Sequence, residues 1–350
     1  MFAGLLRRKQ TPFRCGDAVA VKPWSEILAT LDEQGTCEGL PFMPEMLSYC
    51  GRKARVVRRV EHVFLDHLGY VARLEHTVIL DELRCSGARH DGCQMGCQLL
   101  WKEQWLRSAA EVSDCGTNAE TPPDTAAPPD AAAPPDAADL LPTQRDGKLW
   151  CQATQLPLIT KRMPSWDVRQ YWRGLRARNL GLVDLCKMAG LLVVNRVRWW
   201  CGKEALGMLS GPRRKTVHES LNLEPGELVE VKTREEIQAT LDVHGKHRGM
   251  AFVPEMALYC GRQFRVARRI ERMIEEGTGQ MRQLRDTVAL ESVLCMGLAQ
   301  RRCPRGCFHL WRENWLKRVP EQSRADAKPP LVALPILSES PMAMAEAVAD

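Results

Sequence analysis

No run of about 18 uncharged apolar residues occurs in this 350-residue chain, so a membrane span is not expected. A glycine-rich phosphate loop, a serine nucleophile elbow and a histidine-rich catalytic metal set are also missing, which lowers the expectation of an enzyme without removing it. Met1 to Thr11 offers two leucines followed by Arg7, Arg8 and Lys9, too short an apolar stretch and the wrong charge order for a signal peptide. The expectation is therefore an intracellular, cytoplasmic protein. The net charge of +6 falls short of a dedicated nucleic-acid binder, yet permits an anionic partner. What is present is 45% hydrophobic and 26% charged residues, enough for two or three domains with a core. There are also fourteen cysteines, too few for a disulfide miniprotein and too many to leave unexplained.

The chain repeats itself. Phe42-Met43-Pro44-Glu45-Met46 returns as Phe252-Val253-Pro254-Glu255-Met256, and Tyr49-Cys50-Gly51-Arg52 returns as Tyr259-Cys260-Gly261-Arg262, each shifted by 210 residues. The same shift carries Trp101-Lys102-Glu103-Gln104-Trp105-Leu106 onto Trp311-Arg312-Glu313-Asn314-Trp315-Leu316, and 40 of the 93 positions from 15 to 107 match without a gap. This divides the chain into an N-terminal tail (1–14), a first module (15–107), a Pro/Ala/Asp-rich linker (108–148), a helical connector (149–220), a second module (221–318) and a C-terminal tail (319–350) rich in Pro, Ala and Ser and expected to be disordered. In the connector, Ser165 is a candidate N-cap for one helix and Leu180 to Trp200 reads as another. That second helix is open to two readings: half of a hairpin packed on a module, or a basic amphipathic helix giving peripheral membrane contact through 180–200.

Each module opens with an alternating stretch after a glycine, Asp17 to Lys22 and Glu227 to Lys232, which predicts a strand. Pro44 and Pro254 sit where helical turns start; Arg55 to Val60 with Arg265 to Ile270, and Thr77 to Leu80 with Thr287 to Leu290, predict further strands. The Gly-x-x-Val-x-Val-Lys opening, the Met-x-x-Tyr-Cys-Gly-Arg-x-x-Arg-Val segment and the following strand pair resemble the SH3-like barrel of the nitrile hydratase β-subunit. The resemblance implies a mostly β chain with some α: two duplicated SH3-like small β-barrel modules joined by a helical connector. The duplicated Tyr-Cys-Gly and Cys-x3-Cys-x3-Trp-x-Glu-x-Trp-Leu signatures also resemble those of uncharacterised bacterial proteins.

Cys50, Cys85, Cys93 and Cys97 each have a counterpart, in Cys260, Cys295, Cys303 and Cys307, although more than half of the aligned positions differ. Four thiolates per module is the number a tetrahedral zinc site needs, so two zinc sites are expected, with an iron–sulfur cluster as the alternative cofactor. The i, i+4 spacing of Cys93, Cys97, Trp101 and Trp105 predicts that they share a terminal helix face. His90 is matched by Gln300 and reads as a surface residue. Glu45 and Glu255 could be general bases, but a glutamate in a first helical turn is explained by the helix dipole. Glu103 and Glu313 are expected to bind arginines. Arg52, Arg55, Arg58 and Arg59, with Arg262, Arg265, Arg268 and Arg269, could form a basic strip for nucleic acid or phosphorylated ligands, though few aromatics interleave with them. Trp101 and Trp311 are read as core residues with a possible ligand-stacking role. Together these features predict a non-catalytic, zinc-binding adaptor or accessory subunit with an unidentified protein partner. The alternatives are a cysteine-based redox component and a basic-surface binder of nucleic acid or anionic membrane.

Overall fold

A computed structural model describes residues 12–109, 134–164, 167, 169–202, 208–212, 220–298, 300 and 302–319. The tail up to residue 11, the Pro/Ala/Asp stretch 110–133, Ser165 and the tail from 320 lie outside the described residues. The architecture is mostly strands with some helices. No helix is long and apolar enough to cross a membrane among the described residues.

In the first module β1 (Ala18–Val21) lies between β2 (Lys53–Leu65) and the closing strand; β2 pairs with β3 (Tyr70–Arg84), β3 with β4 (Gln98–Lys102), and β5 (Leu106–Ser108) returns to β1, all antiparallel. In the second module the order is the same: β6 (Leu228–Val231) lies between β7 (Gln263–Arg269) and β10 (Leu316–Arg318), with β8 (Thr287–Leu290) and β9 (Trp311–Arg312) beyond β7. Registers repeat too. Val19 faces Ala54 as Val229 faces Phe264, and Val78 faces Trp101 as Val288 faces Trp311. Neither sheet closes on itself, so the expected barrels are open in their hydrogen bonding.

The expected helix carrying Cys93, Cys97, Trp101 and Trp105 is corrected to a loop holding Cys93 and Cys97, then the strand β4 with Trp101, then a 3-10 turn at Glu103–Trp105. Alternation along the strand followed by one tight turn brings Trp101 and Trp105 into the same core, where neither is exposed. Phe42 meets Trp105 edge-on at 5.1 Å, and Phe252 meets Trp315 at 5.3 Å. Complete burial of Trp101 and Trp311 leaves no ring face for a ligand.

Each 3-10 turn also places a glutamate, half-buried at 103 and fully buried at 313, on an arginine, as expected. Arg59 Nη1 donates to Glu103 Oε1 at 2.5 Å, and Arg269 Nη1 to Glu313 Oε1 at 2.8 Å. Glu313 further accepts the backbone N–H groups of Leu221, Asn222 and Leu223 at 2.7, 2.9 and 3.1 Å, so it fastens the irregular segment that leads into the second module. Glu313→Gln keeps the shape but removes the charge from this network. An expected loss of about 3 kcal/mol in stability is measurable by denaturant unfolding.

The linker and connector are partly absorbed into the first module. Ala137 and Leu141, around the 3-10 turn Pro135–Leu140, and Leu149, Cys151 and Leu156, on and before α1 (Gln152–Ile159), join its core. Helix α2 (Arg169–Arg176) follows. Asn179, just past its end, brackets the backbone of Arg59, accepting from its N–H at 3.0 Å and donating to its C=O at 2.5 Å. Helix α3 (Leu182–Trp200) has no buried residue among those whose side chains are described.

The modules pack by exchanging loops. Gln94 of the first bonds the backbone of Arg272 in the second, donating from its N–H at 2.9 Å and accepting through Oε1 at 3.1 Å. In return, Cys303 Sγ accepts from Phe64 N–H at 3.3 Å, and Arg58 Nη1 donates to Pro304 C=O at 3.2 Å. Arg84 links both loops, donating to Gly96 C=O at 2.8 Å and to Gly306 C=O at 3.1 Å. This is a pseudo-twofold contact within one chain, with the cysteine loops at its centre.

Candidate metal centres

Glu45 lies in the first turn of the 3-10 helix Pro44–Tyr49, and Glu255 in that of Pro254–Tyr259. Opposite them, β3 ends at Arg84 and hands Cys85 to a loop closed by Cys85 N–H donating to Cys97 C=O at 2.8 Å; Cys295 and Cys307 repeat the bond at 2.8 Å. Gly87, with φ of 73°, turns this loop sharply, and His90 N–H donates back to Gly87 C=O at 2.9 Å. The turn aims the His90 side chain inward.

The outcome is a cluster in which one ligand atom from each of Glu45, Cys85 and His90 lies within 4.8 Å of the others. His90 is 1% exposed, a correction to its reading as a surface residue. Its Nε2 lies 3.1 Å from Trp150 C=O, which can only accept, so Nε2 carries a hydrogen and Nδ1 is left to Glu45 Oε1 at 2.8 Å. Glu45 Oε1 also receives the Arg89 N–H at 3.3 Å, while its Oε2 is buried without a hydrogen-bond partner. Burial raises the Glu45 carboxyl, and the His90 hydrogen bond and charge outweigh it, leaving the group below its usual range.

The second module holds the same trio, Glu255, Cys295 and His309, again within 4.8 Å. Here His309 Nε2 and Glu255 Oε1 are 2.9 Å apart, yet both atoms are buried without a hydrogen bond, because they are not aligned on one another. Glu255 Oε2 is used instead by the Leu298 N–H at 3.0 Å, and Cys295 Sγ donates to Gln300 Oε1 at 3.2 Å. Burial, reinforced by the adjacent glutamate charge, pushes Cys85 up to about 12 and Cys295 well above the usual thiol range.

The two histidines are not repeat equivalents. His90 aligns with Gln300, and His309 aligns with Leu99, a core residue. Glutamate and cysteine keep their places while histidine reaches the cluster from the loop in one module and from the approach to β9 in the other. In each module the histidine stands beside a largely buried glutamate, as its partner and as a third potential ligand next to the cysteine.

The rest of the expected thiol set lies elsewhere. Cys50 and Cys260 close the 3-10 helices, where burial raises each to about 11. Cys93 and Cys151 stand within electrostatic reach of Cys85, Cys97 is within reach of Cys307, Cys151 and Cys93, and Cys303 and Cys307 lie at the module contact beside Arg305. Among the described residues, the groups of three or more potential ligands within 4.8 Å are the two glutamate–cysteine–histidine trios. The set of four cysteines is thus not drawn into one shell. The thirteen described cysteines are all unpaired.

The arginine strip is divided by strand alternation. Arg52, Arg55, Arg262 and Arg265 are exposed, Arg58 enters the module contact, and Arg59 and Arg269 serve Glu103 and Glu313. Arg55 and Arg265 each donate to the glycine carbonyl that opens their module, Gly16 at 3.1 Å and Gly226 at 2.9 Å.

Sequence reasoning weighed Glu45 and Glu255 without joining them to Cys85 and Cys295, and it did not consider His309. Comparing repeats position by position hides a ligand that changes position. A search for histidines anywhere in or beside the two cysteine loops, 85–97 and 295–309, would have found both. Comparison with protein-family models, curated proteins and solved structures finds no match for this chain.

Proposed function

We infer that the protein is a non-catalytic metal-binding adaptor or accessory subunit that holds two zinc ions, one in each glutamate–cysteine–histidine trio. The observation that carries this is the recovery of histidine from non-equivalent positions, 90 and 309, around an unchanged glutamate and cysteine. Thiol, imidazole and carboxylate together suit zinc better than hard cations. The unpartnered buried atoms Glu45 Oε2, Glu255 Oε1 and His309 Nε2 are the donors a cation would satisfy. A bound ion would also displace the thiol proton to solvent and set its own charge against the thiolate and the carboxylate.

A thiol nucleophile has less support. His90 Nε2 is committed to Trp150 C=O instead of Cys85, and burial holds the thiol protonated. An iron–sulfur cluster has less support as well, since each trio offers a single cysteine.

The same reading takes each module as an SH3-like small barrel. The strand order, in which the last strand returns to the first after a 3-10 turn, supports it. A metal fastening the loop between the third and fourth strands stabilises a thin core and leaves outer surfaces for a protein partner. Unpaired cysteines throughout the described residues support a reducing, cytoplasmic setting.

Titration of the metal-free full chain with cobalt(II) tests the reading. Two equivalents are expected to develop sulfur-to-cobalt charge-transfer absorption, falling to one in Cys85→Ser or Cys295→Ser and to none in the double variant. Cobalt absorption that survives the double variant would overturn it.

A further inference from the structure

We propose that α3 and its approach form a surface that lies on an anionic lipid bilayer. This stands apart from the zinc centres. Between residues 161 and 200 there are nine Lys or Arg and two Asp, a net charge of +7 in a chain whose total is +6. All of the excess positive charge is therefore concentrated in 40 residues, and the remainder of the chain carries −1. Charge so concentrated marks this segment for an anionic partner.

The shape of that segment selects among anionic partners. Helix α3 spans 19 residues, roughly 28 Å at about 1.5 Å per residue. Val183, Val193, Val194, Val197 and Trp200 are all exposed, from 43% to 70%. At about 100° per residue they fall within roughly 120° of the helix circumference. Arg196 and Arg198 lie about 40° beyond either edge of that stripe, and Arg196 stacks over the Trp200 ring at 5.6 Å. Trp172 on α2 adds a further apolar ring, 67% exposed. An apolar stripe flanked by cations and ended by tryptophan matches the boundary between headgroups and acyl chains. A nucleic acid would use the cations and leave the valines in water, so the stripe favours the bilayer.

The binding face needs no spanning helix. Apolar side chains on one side enter the interface while the arginines meet lipid phosphates, each cation near an anionic surface adding to the attraction.

Co-sedimentation of the full chain with vesicles tests this. Vesicles of mixed phosphatidylglycerol and phosphatidylcholine are expected to carry the protein down, with affinity at least tenfold lower for phosphatidylcholine alone. Val193→Asp/Val197→Asp, both on an exposed face, is expected to weaken binding to the anionic vesicles at least tenfold with unchanged circular dichroism. No sedimentation with anionic vesicles would overturn the proposal. So would equal binding by the double variant, which would make the attraction one of charge alone with no part for the valine stripe. A dimer that this variant dissociates, in a protein that ignores vesicles, would equally overturn it by making the stripe a self-contact.

Discussion

A chain carrying His309→Leu is expected to bind one zinc ion where the unaltered chain binds two, and adding Gln300→His to that variant is expected to return the second. Leucine is the residue that stands at the aligned position 99 in the first module, and histidine is the residue at position 90. The double change therefore rewrites the second centre in the pattern of the first. The side chain at 300 already reaches the cluster, since Gln300 Oε1 accepts from Cys295 Sγ at 3.2 Å. Loss of an imidazole ligand lowers metal affinity by orders of magnitude, and because the same change leaves the buried Glu255 without its histidine, circular dichroism beside the metal count separates a lost ligand from a lost fold. Competition with a chromogenic zinc chelator reads both steps. Restoration by the second substitution distinguishes a ligand from a residue that merely fills space. Equal zinc content in all three proteins would remove histidine from the centre.

Gly87→Ala is expected to destabilise the first module by about 3 kcal/mol and to abolish its metal site. The added Cβ would stand 1.8 Å from the Cys93 carbonyl oxygen, in a residue whose φ of 73° already disfavours a side chain. Backbone, unlike a flexible side chain, cannot step aside without opening the loop. Because His90 is held by its N–H bond to Gly87 C=O, opening the loop withdraws the histidine from Glu45. Gly297 repeats the constraint, its Cβ meeting Cys303 N at 2.5 Å. Gly147→Ala provides the contrast: φ is 71° but nothing lies within 4 Å, so only the conformational strain of about 1 kcal/mol is expected. Urea unfolding of the three proteins separates clash from strain.

Much of the strand plan was legible. Identical residues 210 apart fall on strands of matching order and register, and the alternation of Asp17 to Lys22 placed β1 within one residue of its ends. Thr77 to Leu80 fell inside β3, and the helix read at Leu180 to Trp200 is α3. The i, i+4 spacing of cysteines and tryptophans misled, because a strand followed by a 3-10 turn also brings Trp101 and Trp105 together. The end of the Pro/Ala/Asp stretch did not declare its burial. Ala137 is small enough to enter the first core between prolines, and nothing local distinguishes it from its solvated neighbours.

The centres were half legible. Cys85 and Cys295 stood out because the repeat keeps them, and four cysteines per module invited a four-thiolate shell. Cys50 is directed into the core instead, by its place at the end of the 3-10 helix. The neighbours that the fold gives Cys85, Glu45 and His90, are brought to it by a loop whose closure depends on Gly87, and that is a property of the folded chain.

The most direct test is elemental analysis of the full chain, purified without chelator, beside the Cys85→Ser/Cys295→Ser double variant. Two zinc ions per unaltered chain and none in the variant are the values this account predicts. An unaltered chain free of zinc, or a variant that keeps both ions, would contradict it.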